Sequence, residues 1–411
     1  MVSPFMTDAE KLAAVRAALP SLSAAIQLNT GSVGPMPAEV AAAMAELEAY
    51  ERDIGRAQYD YFVELLQRID EARAGVAAIV GGDLDEVALT HATTDGLNLG
   101  TWAFDWRAGE RAVTTTHEHA GALGPLYALR DRLGVELVFA DFEGDAPDDE
   151  IVAAFDRAIG SEARLVSCSH VIWTTGTRLP VARIAALARE RAAAVLVDGA
   201  QAAGAIPVAV RDLGAQMYSV PAQKWLLGPE GMGALWVDRE FLPQAASTFN
   251  SFLSWASYDS RGSYVPQPDA RRFQVSNYHR PSVVGMARAI GWLTMFVGLE
   301  FVHRRIAEMA GRAHDALSGI DRVRVLTPRD RMAGLVTFRI EGWDARAALD
   351  ELEARTFAIA RTVPPLDAIR MSIGFWATED ELDRFIDGVR LLAGHTPATL
   401  PPRRTLAILD R

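Results

Sequence analysis

A chain of 411 residues, half of them hydrophobic, can bury a large core, and its length predicts two domains rather than a small binding module. A formal net charge of -12, from 53 acidic against 41 basic residues with no basic block, argues against a phosphate-backbone ligand and so against a nucleic-acid partner. The single cysteine, Cys168, excludes an internal disulfide framework and a cysteine-only zinc site, which suits a reducing cytoplasm; no metal is assigned.

The opening MVSPFMTDAEKLAAVRAALP has acids early and no cationic stretch ahead of a long apolar run, so it does not read as a secretion signal. No run approaches the roughly 20 apolar residues that a membrane span needs, and a soluble, cytoplasmic protein is expected. Residues 38–56 and 64–80 carry apolar side chains at helical spacing, so the chain opens with helices. From Val87 onward short apolar runs (EVALTHA, RAVTTTHEH, VELVFADF, ARLVSCSHV, AAVLVDGA, MYSVPA) alternate with helical stretches such as EIVAAFDRAIG and VARIAALARERA. That rhythm predicts an α/β fold with a mostly parallel sheet covered on both faces. Ligands of such sheets sit at the carboxyl ends of the strands. Thr93, Thr94, His119, His170, Asp198 and Lys224, which follow these runs, are therefore expected to converge.

After Val237 the pattern loosens through the aromatic and polar stretch 245–280, which reads as loops around the site. Its aromatics suit either a bulky substrate side chain or a dimer interface. From Pro281 a long helical run leads to VRVLTP, GLVTFRI, the helix ARAALDELEAR, and AIRMSI, which predict a small α/β domain. The expected division is an N-terminal segment 1–27 packing with the small domain, a large domain 28–280, and the small domain 281–411.

Breaking a bond at the α-carbon of an amino acid leaves a carbanion, and a cofactor that absorbs its electrons needs a protonated ring nitrogen. Asp198, ending the apolar strand AAVLV and followed by the small residues of DGAQAAG, can place a buried carboxylate beside such a nitrogen. Lys224, after another short strand, can form an imine if it is partly desolvated. Taken alone, these two residues fit a turn-capping Asp and an exposed loop cation better, and it is their surroundings that favour the chemical reading.

The segments LNTGSVGPMP, THATTDGLNLG, VDGAQAAGAIPV, AQKWLLGPEGMGALWV and RMSIGFWATEDEL resemble the class V aminotransferase family. These are fold-type I pyridoxal phosphate (PLP) enzymes, among them cysteine desulfurases, isopenicillin N epimerase-like proteins and carbon–sulfur lyases. The resemblance covers nearly the whole chain and implies a PLP cofactor, an amino-acid substrate, and a seven-stranded sheet in the large domain. It implies Lys224 as the imine lysine, Asp198 at the pyridine nitrogen, Gln201 near the ring hydroxyl and His119 stacked on the ring, with His117 as its competitor. Thr93 and Thr94 fall where the family contacts the cofactor phosphate, at the start of a helix; a plain N-capping threonine is the alternative. Arg370 matches the arginine that grips the substrate carboxylate, a task suited to a planar fork of donors. His170 matches a position near the site, with a structural histidine as the alternative, and Asn29 and Arg272 are candidates for the substrate pocket.

The pattern departs from desulfurases at several points. Pro221 and Gln223 stand where those enzymes carry a phosphate-binding serine and a histidine, and Ser276 and Asn277 stand near a threonine lent to the neighbouring subunit's phosphate. Gln223 and Asn277 are thus candidate cofactor contacts, and the family implies a homodimer with shared sites. The nucleophilic cysteine expected shortly before the carboxylate-binding arginine is missing from AIARTVPPLDAIR, and Cys168 reads as a packed strand residue. The expected reaction is proton removal by Lys224 and β-elimination from a sulfur-substituted amino acid. An aminotransferase or epimerase would use the same lysine. A non-catalytic nucleotide-binding protein is the alternative of another class, although no G-x-G-x-x-G follows the first strand.

Overall fold

Seven strands build the main sheet of the computed structural model, which describes residues 6–403; residues 1–5 and 404–411 of the expected terminal segments lie outside the described residues. They are β1 (Val87–Thr90), β2 (Arg111–Thr115), β3 (Glu136–Ala140), β4 (Ala163–Ser169), β5 (Ala194–Asp198), β6 (Met217–Pro221) and β7 (Gly233–Val237). Their spatial order is β1-β7-β6-β5-β4-β2-β3. Only β7 runs antiparallel to its neighbours. Strands β5, β6 and β7 are buried along their whole length, which is why they read as continuous apolar runs rather than alternating ones. Successive residues still face opposite ways: Val195 and Val197 join one hydrophobic cluster and Leu196 the other. The fold is the α/β, fold-type I architecture that the sequence predicts.

A second sheet is wholly antiparallel, with β8 (Val323–Val325), β9 (Leu335–Ile340), β10 (Arg361–Val363) and β11 (Ala368–Ser372) in the order β8-β9-β11-β10. The Ala345–Thr356 and Glu379–Ala393 helices contribute Leu352, Phe385 and Val389 to its core, against Phe338. Of the N-terminal segment, Ile26 and Gln27 pair in parallel with Ala358 and Ile359 in this part of the molecule, whereas Val15, Leu19 and Leu22 join the main core.

The division expected at 281 falls elsewhere. The Arg280–Gly291 helix packs on the Ala38–Ile54 and Tyr59–Val80 helices, side chains from Val283 to Ile306 join the main core, and within this run the second core starts only at Met309. Gly298, with a φ of +88°, turns the Leu299–Ser318 helix by 84° from the one before it, and that single helix carries Phe301, Val302 and Ile306 in the main core and Met309, Ala313 and Leu317 in the second. No single helix among the described residues is long and apolar enough to cross a membrane.

Candidate active site

The strand ends of the main sheet meet the second sheet around a cavity of about 250 Å3. Thr93, Thr94, His119, Asp198, Gln201, Gln223, Lys224 and Arg370 all line it. Asp198 closes β5 and is 7% exposed; its Oδ1 accepts a hydrogen bond from the Ala200 amide at 2.8 Å. Burial raises this carboxyl, while Lys224, the Ala200 amide and His119 draw it back down. Lys224 follows β6 in a tight turn in which Leu227 has a φ of +57° and its amide bonds the Lys224 carbonyl. Burial pushes the lysine amine down to about 8, against the pull of Asp198 and with help from Arg370 and Arg361. On that value about a tenth of the amine is uncharged at neutral pH, enough to attack an aldehyde.

His119 is the N-cap of the Ala120–Leu133 helix, its Nδ1 accepting from the Gly121 amide at 3.1 Å. With Nδ1 so used, the neutral ring carries its proton on Nε2. Burial and the charge of Lys224 hold the imidazole below its usual value. The competing His117 is tied down elsewhere, donating through Nε2 to the Phe142 carbonyl at 2.7 Å.

Ala92, not a threonine, is the N-cap of the Thr93–Thr101 helix, so the plain capping role is not taken. The Thr93 hydroxyl is buried without a partner, at a helix start where the Asp95 and Gly96 amides bond the Ala92 carbonyl and those of Thr93 and Thr94 precede the first intrahelical bond. Such an arrangement calls for an anion. Gln201 lines the cavity with its amide already engaged, donating to the Gly31 carbonyl at 2.8 Å and accepting from Trp225 at 3.0 Å. A Cβ on Gly31 would lie 2.8 Å from the Ser372 hydroxyl and 2.9 Å from Gln201 Oε1, so only glycine lets this loop approach.

Arg370 is fully buried, with Nη1 on the Trp173 carbonyl at 2.5 Å and Nε and Nη2 without partners. Burial, with Arg361 adding to it, lowers the guanidinium to about 9. An enclosed cation with idle donors is expensive unless an anion arrives to use them. Arg361 sits directly opposite Arg370 in the β10–β11 pairing, lines the same cavity, and lies 5.5 Å over the Trp173 ring. The sequence reading passed over Arg361, Trp173, Ser32 and the buried acid Glu118. Arg361 lay in the very segment searched for a cysteine, and only its strand register reveals that it faces Arg370.

Four candidates do not reach the cavity. His170 points away because its strand neighbours Ser169 and Val171 take the inward face; it shares a 2.9 Å hydrogen bond with the Tyr218 hydroxyl, and burial lowers it to about 4. Arg272 instead stitches loops together, donating to the carbonyls of Gln267 and Leu242 at 3.1 and 2.8 Å. Asn29 lies one bond back, accepting from the Ser32 hydroxyl, which in turn accepts from Arg361. Asn277 borders a separate cavity with Tyr278 and Arg280 and does not reach the active cavity of its own chain. The aromatics of 250–280 lie outside the cavity too, Trp255, Tyr258 and Tyr264 clustering on a hairpin of their own.

An amine, a carboxylate, an imidazole and an unpartnered hydroxyl at a helix start fit a phosphorylated pyridine aldehyde. The profile described as Aminotransferase class-V matches residues 29–385. A probable cysteine desulfurase of Methanothermobacter thermautotrophicus is 25% identical, covering 92% of this chain and 98% of its own. The isopenicillin N epimerase of Streptomyces clavuligerus is 29% identical over 90% of this chain and 95% of its own. Among solved structures, the cystine C-S lyase C-DES in complex with cysteine persulfide superimposes with a TM-score of 0.85 at 26% identity, covering 92% of this chain and all of its own. C-DES with glycine covalently linked to PLP matches with the same TM-score at 25% identity, over 91% of this chain and 98% of its own. The chain belongs to the class V aminotransferase family and is a PLP-dependent enzyme.

Proposed function

We propose that the enzyme is a carbon–sulfur lyase that takes a sulfur-substituted amino acid and water to a thiol, pyruvate and ammonium. PLP, when bound, supplies the electron sink that makes the α-proton acidic. Arg370 offers Nε and Nη2 to the substrate carboxylate and so orients the amino acid. Asp198 keeps a proton on the ring nitrogen, and Lys224, with its amine lowered to about 8, removes the α-proton from Cα. His119 presents its Nε2 proton to the cavity, where a departing thiolate can take it.

The reading rests on a cavity equipped to hold an amino acid and deprotonate it that contains no thiol. The loop before Arg370 has no cysteine, and Cys168 is fully buried in β4 with its thiol raised well above the usual value by burial. A desulfurase would need that thiol as acceptor. Similarity to an isopenicillin N epimerase supports a second reading in which the same lysine only exchanges the α-proton. Incubating the holoenzyme with S-substituted cysteines in deuterated water separates the two. Equal release of thiol and pyruvate supports elimination; deuterium at Cα of recovered substrate with no pyruvate overturns it in favour of epimerisation, and a keto acid that keeps its sulfur overturns it in favour of transamination.

A further inference from the structure

Glu118 has no role in the chemistry above, yet it lies beside the cavity at 4% exposure. Three donors converge on its carboxylate: Thr115 Oγ1 at 2.8 Å and the Ser169 amide at 3.1 Å on Oε1, and Ser169 Oγ at 2.6 Å on Oε2. Its place in the sheet gives these bonds their meaning. The ladder between β2 and β4 pairs Arg111, Ala112 and Val113 with Ala163, Leu165 and Val166 and then stops. Strand β4 continues beside β5 as far as the pair Ser169 and Asp198. Backbone pairing between β2 and β4 therefore runs out before either strand delivers its cavity group, His119 beyond β2 and Ser169 at the end of β4.

We propose that Glu118 is a positioning residue: its side chain replaces the missing ladder, holding the His119 turn at a set distance from the Ser169–Asp198 pair. The clamp also sets the polarity of Ser169, whose hydroxyl proton is spent on Glu118, leaving its lone pairs for the cavity it lines. Its charge bears on the site as well. Burial and the proximity of Asp198 raise Glu118 to about 7, so part of its population is ionised at neutral pH. The charged or titratable groups around it are Asp198, Cys168 and its chain neighbours His117 and His119. An ionised Glu118 adds negative potential on the Asp198 side of the cavity and favours cations there.

The inference rests on the bound cofactor and not on the elimination reading, so its test leaves substrate out. Holoenzyme is prepared as the parent, Glu118→Gln and Ser169→Ala. Three properties of bound PLP are followed: its dissociation constant, the circular dichroism of its band above about 400 nm, and the pH at which that band is lost. Glutamine keeps the size of Glu118 but has one acceptor oxygen for three donors and no charge. For Glu118→Gln we expect the band to be lost at a pH lower by about half a unit or more. Its dichroism weakens, and PLP binds about fivefold less tightly. Ser169→Ala, which removes the hydroxyl bond to Glu118 while keeping the amide bond and the charge, weakens the dichroism and the binding in the same direction. If both variants show the parent's dichroism, titration and affinity, with only a lower melting temperature, Glu118 is a fold residue and the proposal fails. Failure of Glu118→Gln to hold PLP while Ser169→Ala behaves as the parent likewise refutes the clamp.

Discussion

Replacing Lys224 by methionine in the cofactor-free protein should make it more stable, and the size of the gain follows from the site. The amine is displaced from 10.5 to about 8, first by burial, with Arg370 and Arg361 adding to the effect and Asp198 opposing it. An unfolded chain keeps this proton up to its ordinary value, whereas the folded protein releases it from about 8. Between those values the unfolded state binds more protons, so folding stability rises with pH; below about 8 both states are charged and the folded state bears the whole penalty. At about 1.4 kcal/mol per unit, a displacement from 10.5 to about 8 amounts to roughly 3 kcal/mol. Solvent screening offsets part of this, and Asp198 loses a favourable neighbour, so we expect a net gain of about 1–3 kcal/mol at pH near 7. Methionine preserves the unbranched stem, which keeps packing changes small. Urea unfolding of the apo-protein and variant at pH near 7 and near 10, with slopes compared, measures the difference. The gain should shrink as the pH climbs. A variant no more stable than the parent near pH 7, or a gap that stays constant with pH, would show that the amine is not held in the state described.

Two further outcomes bear on the chemistry. Arg370→Met should lower kcat/KM about ten- to a hundredfold through loss of the charge-assisted bonds to the substrate carboxylate, with Arg370→Lys restoring little because ammonium lacks the planar fork. The PLP band should survive in both, and its loss would move Arg370 from the substrate to the cofactor. Cys168→Ala should retain elimination activity at a stability cost of about 1 kcal/mol for the small void in β4. A folded Cys168→Ala protein without activity would point back to persulfide chemistry and against the lyase reading.

What could be read from the chain alone was whatever local pattern and chemical type determine. Alternating runs of apolar strand and helix announced the sheet, because burial on both faces makes β5, β6 and β7 mostly apolar. Asp198 and Lys224 were legible because each ends or follows such a strand and stands in a motif with a known chemical purpose. Contacts between distant segments were not legible, since they depend on register and facing rather than on local pattern. Residue 170 turned outward while 169 turned inward, a period of two that one residue of strand shift would have reversed. Arg361 faced Arg370 only once β10 and β11 paired, and Glu118 met Ser169 only where β2 and β4 part. The Leu299–Ser318 helix likewise passes from the main core to the second between Ile306 and Met309, a choice that its own periodicity cannot express. Tertiary structure decided these because a side chain's partner is set by how strands align in space, and the chain's order records only which residues are neighbours along it.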